Sequence, residues 1–164
     1  MELLRLSLEP IDKTNFNISA ESSAGEGKSY SILPFFDNGT DRINTLTKIL
    51  DAINFNLEHF KEEELDWMIR TNLIKKDRSA FQPDLLVNIG FNLFQALFST
   101  GSEVAKILER AITLAENKQT QLHIQFQFYA NTKEACRLAS YPWELMHNGQ
   151  KFLAQSFVNF SRYI

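Results

Sequence analysis

Over the first 35 positions the apolar side chains recur every second residue. Leu4, Leu6 and Leu8 alternate with Arg5 and Ser7, Phe16, Ile18 and Ala20 with Asn15, Asn17 and Ser19, and Tyr30 and Ile32 with Ser29 and Ser31. A period of two belongs to a strand with one face buried and one wet. Three short strands are therefore predicted, as a β-meander over residues 1–36. Residues 10–13 supply the first turn, and Ala24-Gly25-Glu26-Gly27 a looser one in which glycine tolerates positive φ.

Beyond Asn38-Gly39-Thr40, a turn signal, the period changes and a helical region over residues 41–117 is predicted. Ile43, Leu46, Leu50, Ile53 and Leu57 step by three and four, with Asp41 placed as N-cap. A second helix is predicted from Glu62 to Lys75. Glu62, Glu63, Glu64 and Asp66 load its start and Arg70, Lys75 and Lys76 its end, in the order that suits the helix dipole and reads as a solvated face. Pro83 is placed at the first position of a third, strongly apolar helix carrying Leu86, Ile89, Leu93 and Leu97. Gly90 inside it costs about 1 kcal/mol relative to Ala, which points to a neighbouring backbone in close approach. Thr100-Gly101-Ser102-Glu103 fits a capping box before Val104, Ile107, Leu108, Ala111 and Ala115.

The period of two returns at Leu122, Ile124, Phe126 and Phe128, which alternate with His123, Gln125 and Gln127. Residues 141–146 read as one helical turn entered through Pro142. Phe152-Leu153-Ala154 and residues 157–164 are apolar and aromatic enough for strand. The fold class expected is α+β in a single domain: an N-terminal antiparallel meander, about four helices, and later strands completing a mixed sheet.

The length of 164 residues fits one domain with a core of its own. With 17 basic and 20 acidic residues the net charge is −3, which gives no footprint for nucleic acid or an anionic membrane. The N-terminus lacks a secretory pattern, and no run approaches the ~18 apolar residues of a membrane span. Cys136 is the single cysteine, so a reducing, cytoplasmic compartment is expected.

Chemistry is scarce. Gly25-Glu26-Gly27-Lys28-Ser29 lacks the spacing of a phosphate-binding loop and precedes a strand where that loop opens a helix. Cys136 with His123 or His147 is the one candidate thiol and imidazole pair, and nothing in the sequence brings them together. Glu58 and His59 are adjacent and lack a second His at helical spacing, so no metal motif is formed. Neither a cofactor nor a metal is expected.

The segment Tyr141-Pro142-Trp143-Glu144-Leu145-Met146-His147-Asn148-Gly149, followed by Phe152-Leu153-Ala154 and Ser161-Arg162-Tyr163-Ile164, resembles the N-terminal part of a CHAT domain. This caspase-like module is common in bacteria and often attached to TPR repeats. Its members carry an apolar strand, a Pro-Trp-Glu-Leu-Leu element, a Phe-Leu-Ala step and a Ser-x-x-Arg-Tyr strand. The stretch from Ile89 to Phe98 is similar to the family's Gly-x-x-Leu helix. The resemblance covers residues 80–164 well and residues 1–79 only in general character.

The resemblance implies a cysteine peptidase family whose catalytic His and Cys lie on later strands, C-terminal to the Arg-Tyr strand where this sequence stops. No catalytic residue is therefore carried over, and His147 and Cys136 match no catalytic position. Pro142, Trp143, Glu144, Leu145, Arg162 and Tyr163 match the shared signature and are expected to be architectural, with Trp143 as a buried anchor and Glu144 as partner of a backbone donor or an Arg. Two functions follow as expectations. One is a non-catalytic scaffold or regulatory portion of a CHAT cysteine peptidase. The other is a stand-alone interaction module that binds a CHAT or sensor partner. Either implies a protein partner, the catalytic half or another copy, reached through the C-terminal strand. A third class, an enzyme using Cys136, predicts labelling by a thiol-directed peptidase probe.

Overall fold

Leu4, Leu6 and Leu8 have no exposed surface, because their strand lies in the middle of a five-stranded sheet. The computed structural model describes residues 1–51, 57–129 and 132–163. Along the chain come β1 (Glu2–Pro10), β2 (Asn15–Ser22) and β3 (Gly25–Ile32), then a small hairpin of β4 (Phe36–Asp37) and β5 (Thr40–Asp41). Helices α1 (Ile43–Asp51), α2 (Glu62–Arg70), α3 (Leu85–Leu97) and α4 (Glu103–Asn117) follow, then β6 (Leu122–Phe128), α5 (Lys133–Ala139) and β7 (Val158–Tyr163). The sheet order is β3-β2-β1-β6-β7. The first three strands form the antiparallel meander; β6 joins β1 and β7 joins β6 in parallel. The chain is α+β, as its two periodicities predict.

The register sorts the side chains into two faces. Leu6 lies opposite Ala20 on one side and Phe126 on the other, and all three are buried with the helices' apolar stripes. Trp143, Phe126 and Phe160 gather in this layer, with Phe126 stacked on Trp143 at 6.2 Å and on Phe160 at 6.1 Å between ring centres. Much of the chain's phenylalanine content fills this space, each ring removing a large apolar area from water. The other face presents Arg5, Ser7 and Glu9 on β1 and His123, Gln125 and Gln127 on β6, none of them buried. Parallel strands usually have both faces covered. Here one face is polar, laced by Arg5 Nε to Gln125 Oε1 at 3.0 Å and Ser7 Oγ to Gln127 Oε1 at 3.3 Å.

Several local expectations need correction. Tyr30 and Ile32 lie on the polar side of β3, 76% and 60% exposed, because Ala20 and Ile18 face Gly27 and Ser29 across the register. The β2–β3 turn is only Ser23-Ala24, so Gly25, Glu26 and Gly27 already belong to the strand, with no phosphate-binding loop. Among the described residues the first helix runs Ile43–Asp51, Leu57 lies in a 3-10 turn over Leu57–His59, and Ile53 is outside the described residues. Asp41 closes β5 and stands one residue before the N-cap position, which is Arg42, whose carbonyl accepts from the Leu46 N–H at 2.9 Å; the Asp41 Oδ1 accepts from the Ile43 N–H at 3.0 Å.

Helix α2 ends at Arg70, leaving Lys75 and Lys76 outside it. Its Glu64 is not solvated: it is buried, and accepts from Thr45 Oγ1 at 2.7 Å, Lys48 Nζ at 2.9 Å and the Lys61 N–H at 3.0 Å. Pro83 stands two residues before α3, whose N-cap is Asp84. The N-cap of α4 is Ser102, whose hydroxyl accepts from the Ala105 N–H at 3.1 Å, so Thr100 is not the cap. Helix α5 follows no apolar periodicity that would predict it, and Leu153–Gln155 forms a 3-10 turn where strand was expected. Among the described residues no helix is long and apolar enough to cross a membrane.

Candidate functional site

The signature residues gather where the loop after α5 meets the far end of β7. Pro142 turns the chain into a 3-10 turn over Trp143–Leu145. Its fixed φ suits that entry, and the missing N–H is not needed there. The turn drops Trp143 into the core with no exposed surface, where its Nε1 donates to the Leu138 carbonyl at 3.0 Å. A buried indole N–H needs such a partner, and the end of α5 provides it. Tyr141 is buried beside it, and its hydroxyl donates to Asp41 Oδ1 at 2.9 Å. Burial pushes that phenol well above the usual tyrosine range, with the Asp41 carboxylate adding to the effect.

Leu145 acts through its backbone. A Cβ added to Gly90 would lie 2.2 Å from the Leu145 carbonyl oxygen, and the His147 N–H donates to the Gly90 carbonyl at 3.0 Å. This is the close approach that a glycine inside an apolar helix foretold. The 145–147 segment therefore runs against bare helix backbone.

Glu144 and Arg162 join the two halves of the signature. Arg162 Nε donates to Glu144 Oε1 at 2.5 Å and its terminal nitrogen to Oε2 at 2.5 Å. The same guanidinium donates to the Ala139 carbonyl, and to the Tyr141 carbonyl at 2.8 Å. Its carbon sits 6.0 Å from the centre of the Phe128 ring. The planar fork of Arg suits this bidentate task in a way Lys would not. Burial alone would raise the Glu144 pKa, but the Arg162 hydrogen bonds and charge outweigh it and hold the carboxyl below the usual range. Tyr163 differs from the other signature residues: it is 56% exposed on the polar face, opposite Gln127.

The imidazole and thiol groups are dispersed. His123 projects from the polar face and shares a hydrogen bond of 2.7 Å with Ser161 Oγ. His147 is buried; its Nδ1 accepts from the Gly149 N–H at 3.0 Å and its ring meets Phe152 edge-on at 4.7 Å. Cys136 is exposed on α5. His123 and His147 are thus each engaged with other groups, and His123 lies on the opposite side of the sheet from the core into which α5 packs Leu138. No group of three or more metal-ligating side chains is found among the described residues.

At the C-terminal ends of β1 and β6, where open α/β sheets commonly bind ligands, lies a cavity of about 250 Å³. Glu9, Asp12 and Glu134 line it beside Tyr129 and Thr132. Asp12 is occupied there, holding the Thr14 and Asn15 N–H groups at 2.8 Å each. Those bonds draw its pKa down to about 2.

A charged network ties the β4–β5 hairpin to the helices. Arg70 grips Asp37 through two hydrogen bonds of 3.0 Å, and Arg137 Nε lies 3.0 Å from Asp41 Oδ2. The Arg137 contact is close but not aligned as a hydrogen bond, so Asp41 Oδ2 and Arg42 Nε remain buried without one. Asp-Arg pairs 33 and 96 positions apart leave no local pattern to find. Comparison with protein-family models, curated proteins and solved structures returns no match.

Proposed function

We propose that this chain is the non-catalytic scaffold or regulatory portion of a CHAT, caspase-like cysteine peptidase, working in the cytoplasm and presenting β7 to the catalytic half. The carrying observation is the Glu144 and Arg162 clamp, which fastens the Pro-Trp-Glu-Leu turn to the Arg-Tyr strand. Its location adds support. Among the described residues no strand pairs with the outer side of β7. From β1 to β6 to β7 the sheet grows outward by parallel addition, so a further parallel strand has its place beside β7. Phe157, just before β7, and Phe160 within it are only partly buried against the core.

The dispersed His123, His147 and Cys136 agree with a part that carries no dyad of its own. One observation favours the stand-alone interaction module: Val158 is buried and Phe160 already stacks on Phe126, so the strand's apolar side is largely covered within the chain. The coding DNA downstream of the Ile164 codon separates the two. A further strand followed by a His and then a Cys is the expected result. A stop codon with no CHAT gene beside it would overturn the peptidase reading and leave the interaction module.

A further inference from the structure

The β3 edge of the sheet is finished quite differently from the β7 edge. Leu33 N–H donates to the Thr14 carbonyl at 2.8 Å, next in register to the pair Asn15 and Ile32. The alternation of an antiparallel ladder then turns odd-numbered residues of β3 toward β2 and leaves the N–H and C=O of Glu26, Lys28, Tyr30 and Ile32 on the outer edge. The Lys28 N–H is occupied: it donates to Oε2 of Glu103, the first residue of α4, at 3.2 Å. Gly27 lets the helix come that near. A Cβ there would lie 3.2 Å from the backbone and Cβ of Glu103.

An unguarded outer strand is a template for another strand, and β3 is complementary to itself. Pairing two copies antiparallel about a two-fold axis through Gly27 sets Glu26 opposite the second copy's Lys28, twice. Both residues carry outward backbone groups and both side chains lie on the polar face, so ladder bonds and ion pairs coincide. We propose that Glu103 guards this edge, holding the Lys28 N–H so that β3 does not pair with β3 of a second copy. The inference concerns the β3 edge alone and goes beyond the peptidase reading, which concerns β7.

Sedimentation velocity tests it. Glu103→Ala is expected to double the sedimenting mass relative to the unaltered protein, with self-association strengthened roughly tenfold or more for each of the two charge-assisted hydrogen bonds released, one in each copy. Glu103→Gln, which keeps an acceptor oxygen, is expected to leave the mass unchanged. Adding Lys28→Pro to Glu103→Ala removes the outward donor at an edge position that tolerates proline, and is expected to restore the original mass. A folded Glu103→Ala that keeps the original mass overturns the proposal, as does doubling by Glu103→Gln. Amide exchange on the unaltered protein provides a check free of variant folding: Lys28 should exchange more slowly than Glu26 and Tyr30, and equal rates overturn the guard.

Discussion

Gly90 presents its bare Cα to the carbonyl of Leu145, so near that an added methyl would lie 2.2 Å from the oxygen. In an unobstructed helix Gly90→Ala would stabilise by about 1 kcal/mol. Here the overlap is with backbone, which cannot rotate away, and we expect Gly90→Ala to cost about 2 kcal/mol net. A urea titration measures it, and a gain in stability would show that the 145–147 segment gives way.

Trp143 concentrates the aromatic packing, touching Phe16, Phe126 and Tyr141. Trp143→Ala should cost about 3–5 kcal/mol, the usual range for emptying such a site. Trp143→Phe should recover much of that while leaving the Leu138 carbonyl without its donor. Thermal unfolding of the two variants separates ring volume from hydrogen bond; equal losses would argue against the packing account.

The Glu144 and Arg162 clamp is partly solvated, the two side chains being 42% and 26% exposed. The ion pair itself is therefore expected to contribute only about 0.5–1 kcal/mol in a double-mutant cycle. Arg162→Ala should nevertheless cost more than Glu144→Gln, by about 1–2 kcal/mol, because it also strands the Ala139 and Tyr141 carbonyls. Equal single-variant losses would mean that those carbonyl bonds contribute nothing.

Acid should loosen the fold through Glu64 and Glu144. Burial works against both carboxylates, yet hydrogen bonds from the Lys61 N–H, Thr45 and Lys48 to one, and from Arg162 to the other, bring both pKa values below the usual carboxylate range. A folded pKa below the unfolded one means that the stabilisation is full above the unfolded value, about 4.5, and is lost as pH falls through the folded value. Urea midpoints taken from about pH 6 down to about pH 3 should fall, and Glu64→Gln should fall less steeply over that window. A parallel decline would exclude Glu64 as a contributor.

The strands were legible wherever a buried face alternates with a wet one, as at Leu4 to Leu8 and Leu122 to Phe128, because side-chain period reports burial directly. Tyr30 and Ile32 misled for the same reason: they alternate, but Gly27 and Ser29 take the inner face, and at Gly27 the start of helix α4 leaves little room even for a Cβ. Gly90 announced a close neighbour without saying which. The clamp was half legible, since Glu144 invited an Arg but its reach to Arg162 depends on how β7 docks against β6. The hold of Glu103 on Lys28, 75 positions apart, had no local signature at all.

The β1 and β6 pairing carries a consequence for synthesis on the ribosome. Arg5 meets Gln125 across 120 positions, so β1 cannot acquire its second neighbour until the 120 positions between them have emerged. Until then the meander offers Leu4, Leu6 and Leu8 to any sticky surface, and closing so long a loop slows the step that hides them. The nascent protein should therefore rely on chaperone shelter for its first three strands. Moving β6 ahead of β1 by circular permutation should shorten that exposure and speed refolding.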